Sequence, residues 1–449
     1  MTMAPRATPP AGVLSLPTSR TEIARALDEA RARTLLLIAT VSEADLLKQH
    51  DPLMGPILWD LGHIAHFESL WLLSNLDGTV EFVEMPGMYN PFEYPRKARG
   101  ALPLPSIAES LRTMAEIRER VLERLEHVDL DSDTPLLRDG YVYQMVLQHE
   151  YQHDETILQT LQLKTGEPYA PPVRRPPPPI ADARFLSAGA MVRVDVGTAC
   201  MGTDDRGRAY DNERPRHRVS LAPYWIDQAP VTNGEFMAFM DDAGYTRREL
   251  WTDAGWAWRE ESRAEAPKYW RREGGAWLTR SMDRVMTPDP KAPVIHVSYH
   301  ESEAFARWAG KRLPSEEEWE VAAAWDPAAH VHRTFPWGDE APGETTANLD
   351  QLTFGVAPIG AHGDNVSPLG CYGMLGDVWE WTSSDFGGYP DFAAFPYPEY
   401  SQVFFGTEYK VLRGGSWATR PGAVRNTFRN WDYPIRRQIF SGFRCARDD

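Results

Sequence analysis

The sequence predicts an α+β chain in which a helical bundle is followed by a loop-rich half of short strands and few helices. Three observations carry this. Apolar stripes at helical period and two cap signatures lie before residue 167. The segment PYAPPVRRPPPPI, residues 168–180, cannot continue a helix and should run extended. Beyond it the chain turns to Gly and Pro punctuation, and most of its 16 Trp fall after residue 250. A length of 449 residues also exceeds one ordinary core. The expected division is a flexible tail over 1–18, a bundle over 19–167, a linker over 168–184 and a second domain over 185–449.

Within the bundle, Ser19 with Glu22 and Ser106 with Glu109 have capping-box spacing and should open two helices. Behind the second cap, Ile107, Leu111, Met114, Ile117, Val121 and Leu125 form an apolar stripe. A further helix should run from about Trp59, or earlier, to Leu73. Another should open near Asp139 and close at Gly166, a residue type favoured just past a helix end. Four helices of this length make a bundle. In the second half only two segments read as helices. One is HESEAFARWAG, 300–310, and the next begins at Ser315 with Glu318 closing a capping box.

Composition excludes several function classes. A formal charge of −17 argues against a nucleic-acid or anionic-membrane partner, which demands a basic footprint, and favours a small-molecule or protein substrate. No apolar run approaches the ~18 residues needed to span a bilayer, and the N-terminus lacks a basic start followed by an apolar stretch. A cytoplasmic protein is expected. Cys200, Cys371 and Cys445 are too few and too scattered for a disulfide framework or a thiolate zinc site, so they are expected to be buried thiols.

The stretch QMVLQHEYQHDETILQTL, 144–161, holds HEYQH, which matches the H-E-x-x-H pattern of zinc peptidases. With 12 His in 449 residues, about 0.3 such pairs arise by chance, so one pair alone decides nothing. Met145, His149, His153 and Ile157 are four apart and share a helix face that includes apolar residues, so both imidazoles should point into the bundle. Buried imidazoles need partners. WDLGHIAHFE, 59–68, offers His63 and His66 among apolar residues. Three His from two helices would make a facial site with open positions, the arrangement that activates small molecules at non-haem iron.

After the linker six motifs occur in order: MGTDDRGRAYDNERPRHRVSLAPYWIDQAPVTNGEF, RLPSEEEWEVAA, FPWGDE, GMLGDVWEWTSS, VLRGGSW and SGFRCAR. In this run the second half resembles the formylglycine-generating, sulfatase-modifying family, which implies a C-type-lectin-like fold. That family's copper-binding cysteine pair follows its RGGS motif. Here RGGSWATRPGAVRNTFRNWD has no cysteine, so formylglycine generation is not expected. The first half resembles a DinB-like four-helix bundle. The two together resemble the ergothioneine-type sulfoxide synthases over nearly the whole chain.

The resemblance implies Fe(II) on His63, His149 and His153, with His66 outside the pattern. It places Gln152 beside N-α-trimethylhistidine. YPEYSQVFF puts the family's catalytic tyrosine at Tyr397, with Tyr400 as the neighbour that would replace it if the register slips. FRNWDYPIRR makes Asn430 and Trp431 candidates for the trimethylhistidine side, and Asp432 and Arg436 for the thiol substrate. YNPFEYPRKAR points to Arg96 and Arg99 for the carboxylates of γ-glutamylcysteine. Two arginines with an Asp and another Arg also suit a zwitterionic dicarboxylate on chemical grounds, because guanidinium pairs with carboxylate in bidentate fashion.

The implied activity is iron- and O2-dependent coupling of the trimethylhistidine imidazole to a thiol, with oxidation at sulfur. Three neutral imidazoles leave room for thiolate, O2 and imidazole or water. A tyrosine near the metal could deliver a proton or a hydrogen atom. A quaternary ammonium cannot donate a hydrogen bond and suits an aromatic face, for which Trp431 is the candidate. Other readings remain open here. A selenoneine-type synthase would take a selenium donor. A zinc hydrolase would use Glu150 as base, and a binding module would leave the bundle purely structural. Each loop residue alone could equally serve packing or sit solvated.

Overall fold

The computed structural model describes residues 17–76, 87–180 and 189–449. Most of the expected N-terminal tail, and residues 181–184 of the expected linker, lie outside them. Both capping boxes form. Ser19 opens α1 (Arg20–Ile38) with Glu22, which accepts from the Ser19 N–H at 3.1 Å, and Ser106 and Glu109 open α4 in the same way. A short α2 (Glu43–Leu47) precedes α3 (Ile57–Ser69), which winds into a π-helical turn over Leu70–Ser74 that carries Trp71. The apolar stripe of α4 (Ile107–Leu125) buries Met114, Ile117, Val121 and Leu125. Before α5 (Tyr141–Leu163), Asp139 and Gly140 take left-handed conformations, with φ of 56° and 68°, so the helix opens two residues after the expected start. It ends at Leu163, and Gly166, with φ of 84°, turns the chain away.

Helices α1, α3, α4 and α5 pack around one core. A charge network is buried inside it. Arg31 donates to Glu68 at 2.7 Å and to Glu150 at 2.8 Å, while Arg118 donates to Glu68 at 2.6 Å. Such a network fixes helix register, because removing one member leaves the others charged and unpaired in a low-dielectric interior. At Gly62 on α3 an added Cβ would lie 2.0 Å from the Tyr89 ring, so only glycine lets Tyr89 lie against this helix.

Past the linker the chain forms small sheets held by long loops. In order they are β1 (Met191–Val194), the hairpin of β2 (Thr198–Met201) and β3 (His217–Ser220), and β4 (Tyr224–Asp227). Then come α6 (Asn233–Asp241), α7 (Asp253–Ser262) and the meander of β5 (Arg271–Glu273), β6 (Ala276–Ser281) and β7 (Arg284–Met286). Helices α8 (Tyr299–Trp308) and α9 (Glu316–Ala324) follow, then the paired β8 (Trp325–Asp326) and β9 (Val331–His332). A four-stranded sheet is built from β10 (Trp379–Phe386), β11 (Gly406–Arg413), β12 (Asn430–Asp432) and β13 (Ser441–Gly442), in the order β12-β11-β10-β13. The last strand, β14 (Ala446–Asp448), pairs with β4, and β4 with β1.

The expectation of only two helices in this half is corrected by α6 and α7. Both are about ten residues or fewer, too short for a clear stripe, although Thr232 and Glu235 do form a capping box at the start of α6. Residues 168–180 are without helix or strand, and the Arg175 N–H donates to Leu352 O at 2.7 Å. All three cysteines are free; Cys371 and Cys445 are buried and Cys200 partly so. No helix among the described residues is long and apolar enough to cross a membrane.

The two halves share a polar interface. Glu155 on α5 accepts from the Trp379 indole, Ser416 and Thr419. Arg425 donates to Gln148 at 2.8 Å, and Gln162 accepts from the Met282 N–H at 2.6 Å. Loops of the second half are thereby fixed along one side of the His-bearing helix.

Candidate metal and substrate site

His63 stands on α3, and His149 and His153 stand one turn apart on α5. Their ligand nitrogens all lie within 4.8 Å of one another, with His63 Nε2 and His149 Nε2 3.2 Å apart. The Nδ1 atoms of two rings are already committed. His63 Nδ1–H donates to Tyr89 O at 2.8 Å, and His153 Nδ1–H donates to Asp60 Oδ1 at 3.1 Å. Each bond selects the tautomer whose Nε2 keeps a lone pair. Burial, and then the neighbouring imidazoles, hold His63 and His149 well below their ordinary protonation range. Three imidazoles whose ring nitrogens converge are a donor set that fits a divalent first-row metal.

Aromatic rings brace the ligands. Trp59 stacks on His63 at 4.8 Å and Phe67 on His149 at 3.7 Å. Trp59, His63 and Phe67 are four apart, so helical period alone places them on one face. His66 is outside the trio. Its ring lies 6.3 Å from that of His63, and its buried Nδ1 makes no hydrogen bond among the described residues. Glu150 is committed to Arg31 and to Thr34, whose hydroxyl donates at 2.9 Å. That engagement removes the general base a peptidase would need.

Gln152, one turn past His149, donates from Nε2 to Tyr210 OH at 3.2 Å and to Tyr400 OH at 3.3 Å. Tyr210 and Tyr400 also stack, with centroids 4.1 Å apart. Tyr397 lies against Trp71 at 5.0 Å and near Phe67 at 6.5 Å. Its hydroxyl makes no hydrogen bond among the described residues, whereas that of Tyr400 is engaged by Gln152. Burial pushes both phenols well above their ordinary range, so both are held protonated.

The arginines gather beside this group. The Arg99 guanidinium carbon sits 3.4 Å from the centre of the Trp59 ring, and its Nε donates to Tyr94 O at 2.9 Å. Burial lowers Arg99 to about 10 and also lowers Arg96; in each case Asp60 opposes the shift. Arg96 and Arg436 both direct Nη1 at Leu53 O, at 3.5 and 3.3 Å. Arg436 Nε is 3.3 Å from Asp432 Oδ1. Arg96, Asp432 and Arg436 therefore meet across the two halves.

Asn430, Trp431 and Asp432 form β12, so strand alternation sends Trp431 to the face opposite the other two. One face of Trp431 is covered by Phe386 at 4.0 Å, and Tyr400 meets it edge-on at 6.1 Å. Asn430 Oδ1 accepts from the Trp431 N–H at 2.9 Å. Trp59, Asp60, Phe67, Trp71 and Tyr210 are not among the site residues expected from the sequence. The first three were accessible from their spacing to His63; Tyr210, in a loop, carried no such signal.

Comparison with known proteins finds relatives of both halves of the chain. The DinB superfamily profile matches residues 26–157, and that of the Sulfatase-modifying factor enzyme 1-like domain matches residues 178–449. The chain is 46% identical over 439 residues to the hercynine oxygenase of Mycolicibacterium thermoresistibile, covering 96% of this chain and 95% of that protein. It is 45% identical to the hercynine oxygenase of Mycobacterium tuberculosis, over 96% of this chain and all of that one. A formylglycine-generating enzyme of Thermomonospora curvata is 32% identical over 58% of this chain and 94% of its own length. Among solved structures, PvdO from Pseudomonas aeruginosa aligns with a TM-score of 0.41 at 24% identity, over 58% of this chain and 94% of that one.

Proposed function

The chain belongs to the hercynine oxygenase family, and from that membership we propose that it couples the imidazole carbon of N-α-trimethylhistidine (hercynine) to the sulfur of γ-glutamylcysteine, using O2 and ferrous iron on His63, His149 and His153. The reaction balances as two substrates plus O2 giving a sulfoxide and water. The observation that carries the iron assignment is the convergence of three imidazoles, two with Nδ1–H spent on protein acceptors. Iron bound there would supply the O2 activation, the four electrons that reduce O2 coming from the two substrates as the C–H and S–H bonds are lost and sulfur is oxidised.

The remaining work falls to the protein's own groups. Arg96 and Arg99 hold the dipeptide carboxylates; Asp432 takes its ammonium group and Arg436 steadies Asp432. Arg99 suits this role because its Nη nitrogens make no hydrogen bond among the described residues. Gln152 and Asn430 orient the trimethylhistidine. Trp431, stacked on Phe386 and flanked by Phe404 and Tyr400, offers π surface to the trimethylammonium. Tyr397 delivers the proton. Both phenols are kept protonated by burial, and what favours Tyr397 over Tyr400 is that its hydroxyl is not tied to Gln152.

Aerobic incubation of iron-loaded protein with both substrates, followed by mass spectrometry, tests the proposal. A coupled sulfoxide is expected with γ-glutamylcysteine in preference to cysteine. Absence of coupled product with every thiol tried would sink it. Coupling of a selenol donor in direct competition with the thiol would reassign the donor.

A further inference from the structure

The dipeptide Trp59-Asp60 connects the arginine pocket to two of the three histidines. Trp59 is contacted by the Arg99 guanidinium at 3.4 Å and stacks on His63 at 4.8 Å with its plane tilted by 14°. Asp60 accepts from His153 at 3.1 Å; it is 2% exposed, and its Oδ2 has no hydrogen-bond partner among the described residues. One short piece of α3 therefore touches a candidate carboxylate-binding arginine on one side and two candidate metal ligands on the other.

We infer that Trp59 and Asp60 are positioning residues that couple occupation of the Arg96–Arg99 pocket by a substrate carboxylate to the grip of His63 and His153 on a metal ion. The inference rests on reading those histidines as ligands and those arginines as carboxylate partners. With the pocket empty, the Asp60 carboxylate is shared between the His153 N–H and the field of two guanidinium groups, which is long-ranged in a buried site. A carboxylate arriving on the arginines takes up that positive charge. Asp60 then acts chiefly on His153 and strengthens the imidazole as a donor through Nε2, as carboxylate partners of metal-bound histidines do. Trp59 adds a mechanical route, since Arg99 and His63 bear on the same ring. Linkage is reciprocal, so metal raises carboxylate affinity by the same factor.

The test separates this effect from direct binding of sulfur to metal by using γ-glutamylalanine, which has both carboxylates and no thiol. Metal-free protein is titrated with Zn2+, with and without the dipeptide, and affinities are read by competition with a chromophoric chelator. Wild-type protein is expected to bind Zn2+ about tenfold more tightly when the dipeptide is present. Asp60→Asn is expected to bind Zn2+ about 10–100-fold more weakly and to lose most of the coupling factor. Trp59→Leu should also lower the factor. Equal Zn2+ affinity with and without dipeptide in the wild type overturns the inference without recourse to any variant, and so does an undiminished factor in Asp60→Asn. Calorimetry on the same samples tells the causes apart. If γ-glutamylalanine does not bind at all, the arginine assignment falls and the inference with it; if Zn2+ does not bind, the histidine assignment falls likewise.

Discussion

Glu155, two residues beyond His153 on α5, accepts a 2.7 Å hydrogen bond from the indole of Trp379 in the second half of the chain. Ser416 donates to the same carboxylate oxygen at 3.1 Å and Thr419 to the other at 2.7 Å. One buried side chain thus locks the His-bearing helix to the RGGSW loop and to the sheet that bears Asn430, Trp431 and Asp432. Glu155→Ala leaves the Trp379 indole and one of the two hydroxyls without an acceptor, since Ser416 and Thr419 lie 3.4 Å apart and can still pair with each other, and is expected to destabilise the protein by at least ~2 kcal/mol in chemical denaturation, each such donor costing about 1–3 kcal/mol. Glu155→Gln keeps an acceptor for Trp379 and Ser416 and should cost far less.

Tyr397 and Tyr400 are separated by their partners. Tyr397→Phe should cut coupled product by about 10²–10⁴-fold while thiol oxidation continues, because the proton donor is lost but thiol and O2 still meet. Tyr400→Phe removes one acceptor of Gln152 and should raise KM for trimethylhistidine about fivefold with kcat little changed. Product ratios by mass spectrometry and steady-state kinetics decide between them; the reverse pattern would move the catalytic role to Tyr400.

Arg99→Lys keeps the charge but loses the planar fork and its contact with Trp59. The expected result is a KM for γ-glutamylcysteine raised about tenfold or more, with a smaller change for cysteine. Kinetics across a thiol panel check this. An equal rise for both thiols would mean that Arg99 does not read the dipeptide.

His296 supports the loop that carries Arg436, its Nδ1–H shared between Arg437 O at 3.2 Å and Ile439 O at 3.1 Å. Burial depresses this imidazole to about 3, against about 6.5 in an unfolded chain. The stability it contributes is therefore fully present above pH 6.5 and is lost as pH falls toward 3. His296→Asn keeps an N–H donor and tolerates the left-handed φ of 67° at this position. The stability advantage of wild type over this variant should be constant from pH 7 to 8 and shrink by about 1.4 kcal/mol per unit below 6.5. Denaturant titrations at several pH values measure it.

The sequence made the bundle legible because its signals are local: capping boxes at Ser19 and Ser106, and the stripe from Ile107 to Leu125. The His trio was legible in part, since i, i+4 spacing puts His149 and His153 on one face, but only the family resemblance chose His63 over His66. Spacing could not reveal that Asp60 reaches His153 on another helix, or that Tyr210 arrives from a distant loop to meet Gln152. Those contacts are set by how the two halves dock. Helices α6 and α7 escaped because short helices in an aromatic, loop-rich chain are held by tertiary contacts more than by their own periodicity.

The central claim is that His63, His149 and His153 hold the iron that drives coupling. Iron content and product mass should be measured together on wild type and His63→Ala, loaded with Fe(II) without oxygen and then exposed to trimethylhistidine, γ-glutamylcysteine and air. The account predicts one iron per wild-type chain with sulfoxide formed, and loss of both in a His63→Ala protein that remains folded by circular dichroism. A folded His63→Ala protein that retains iron and still forms the sulfoxide would contradict it.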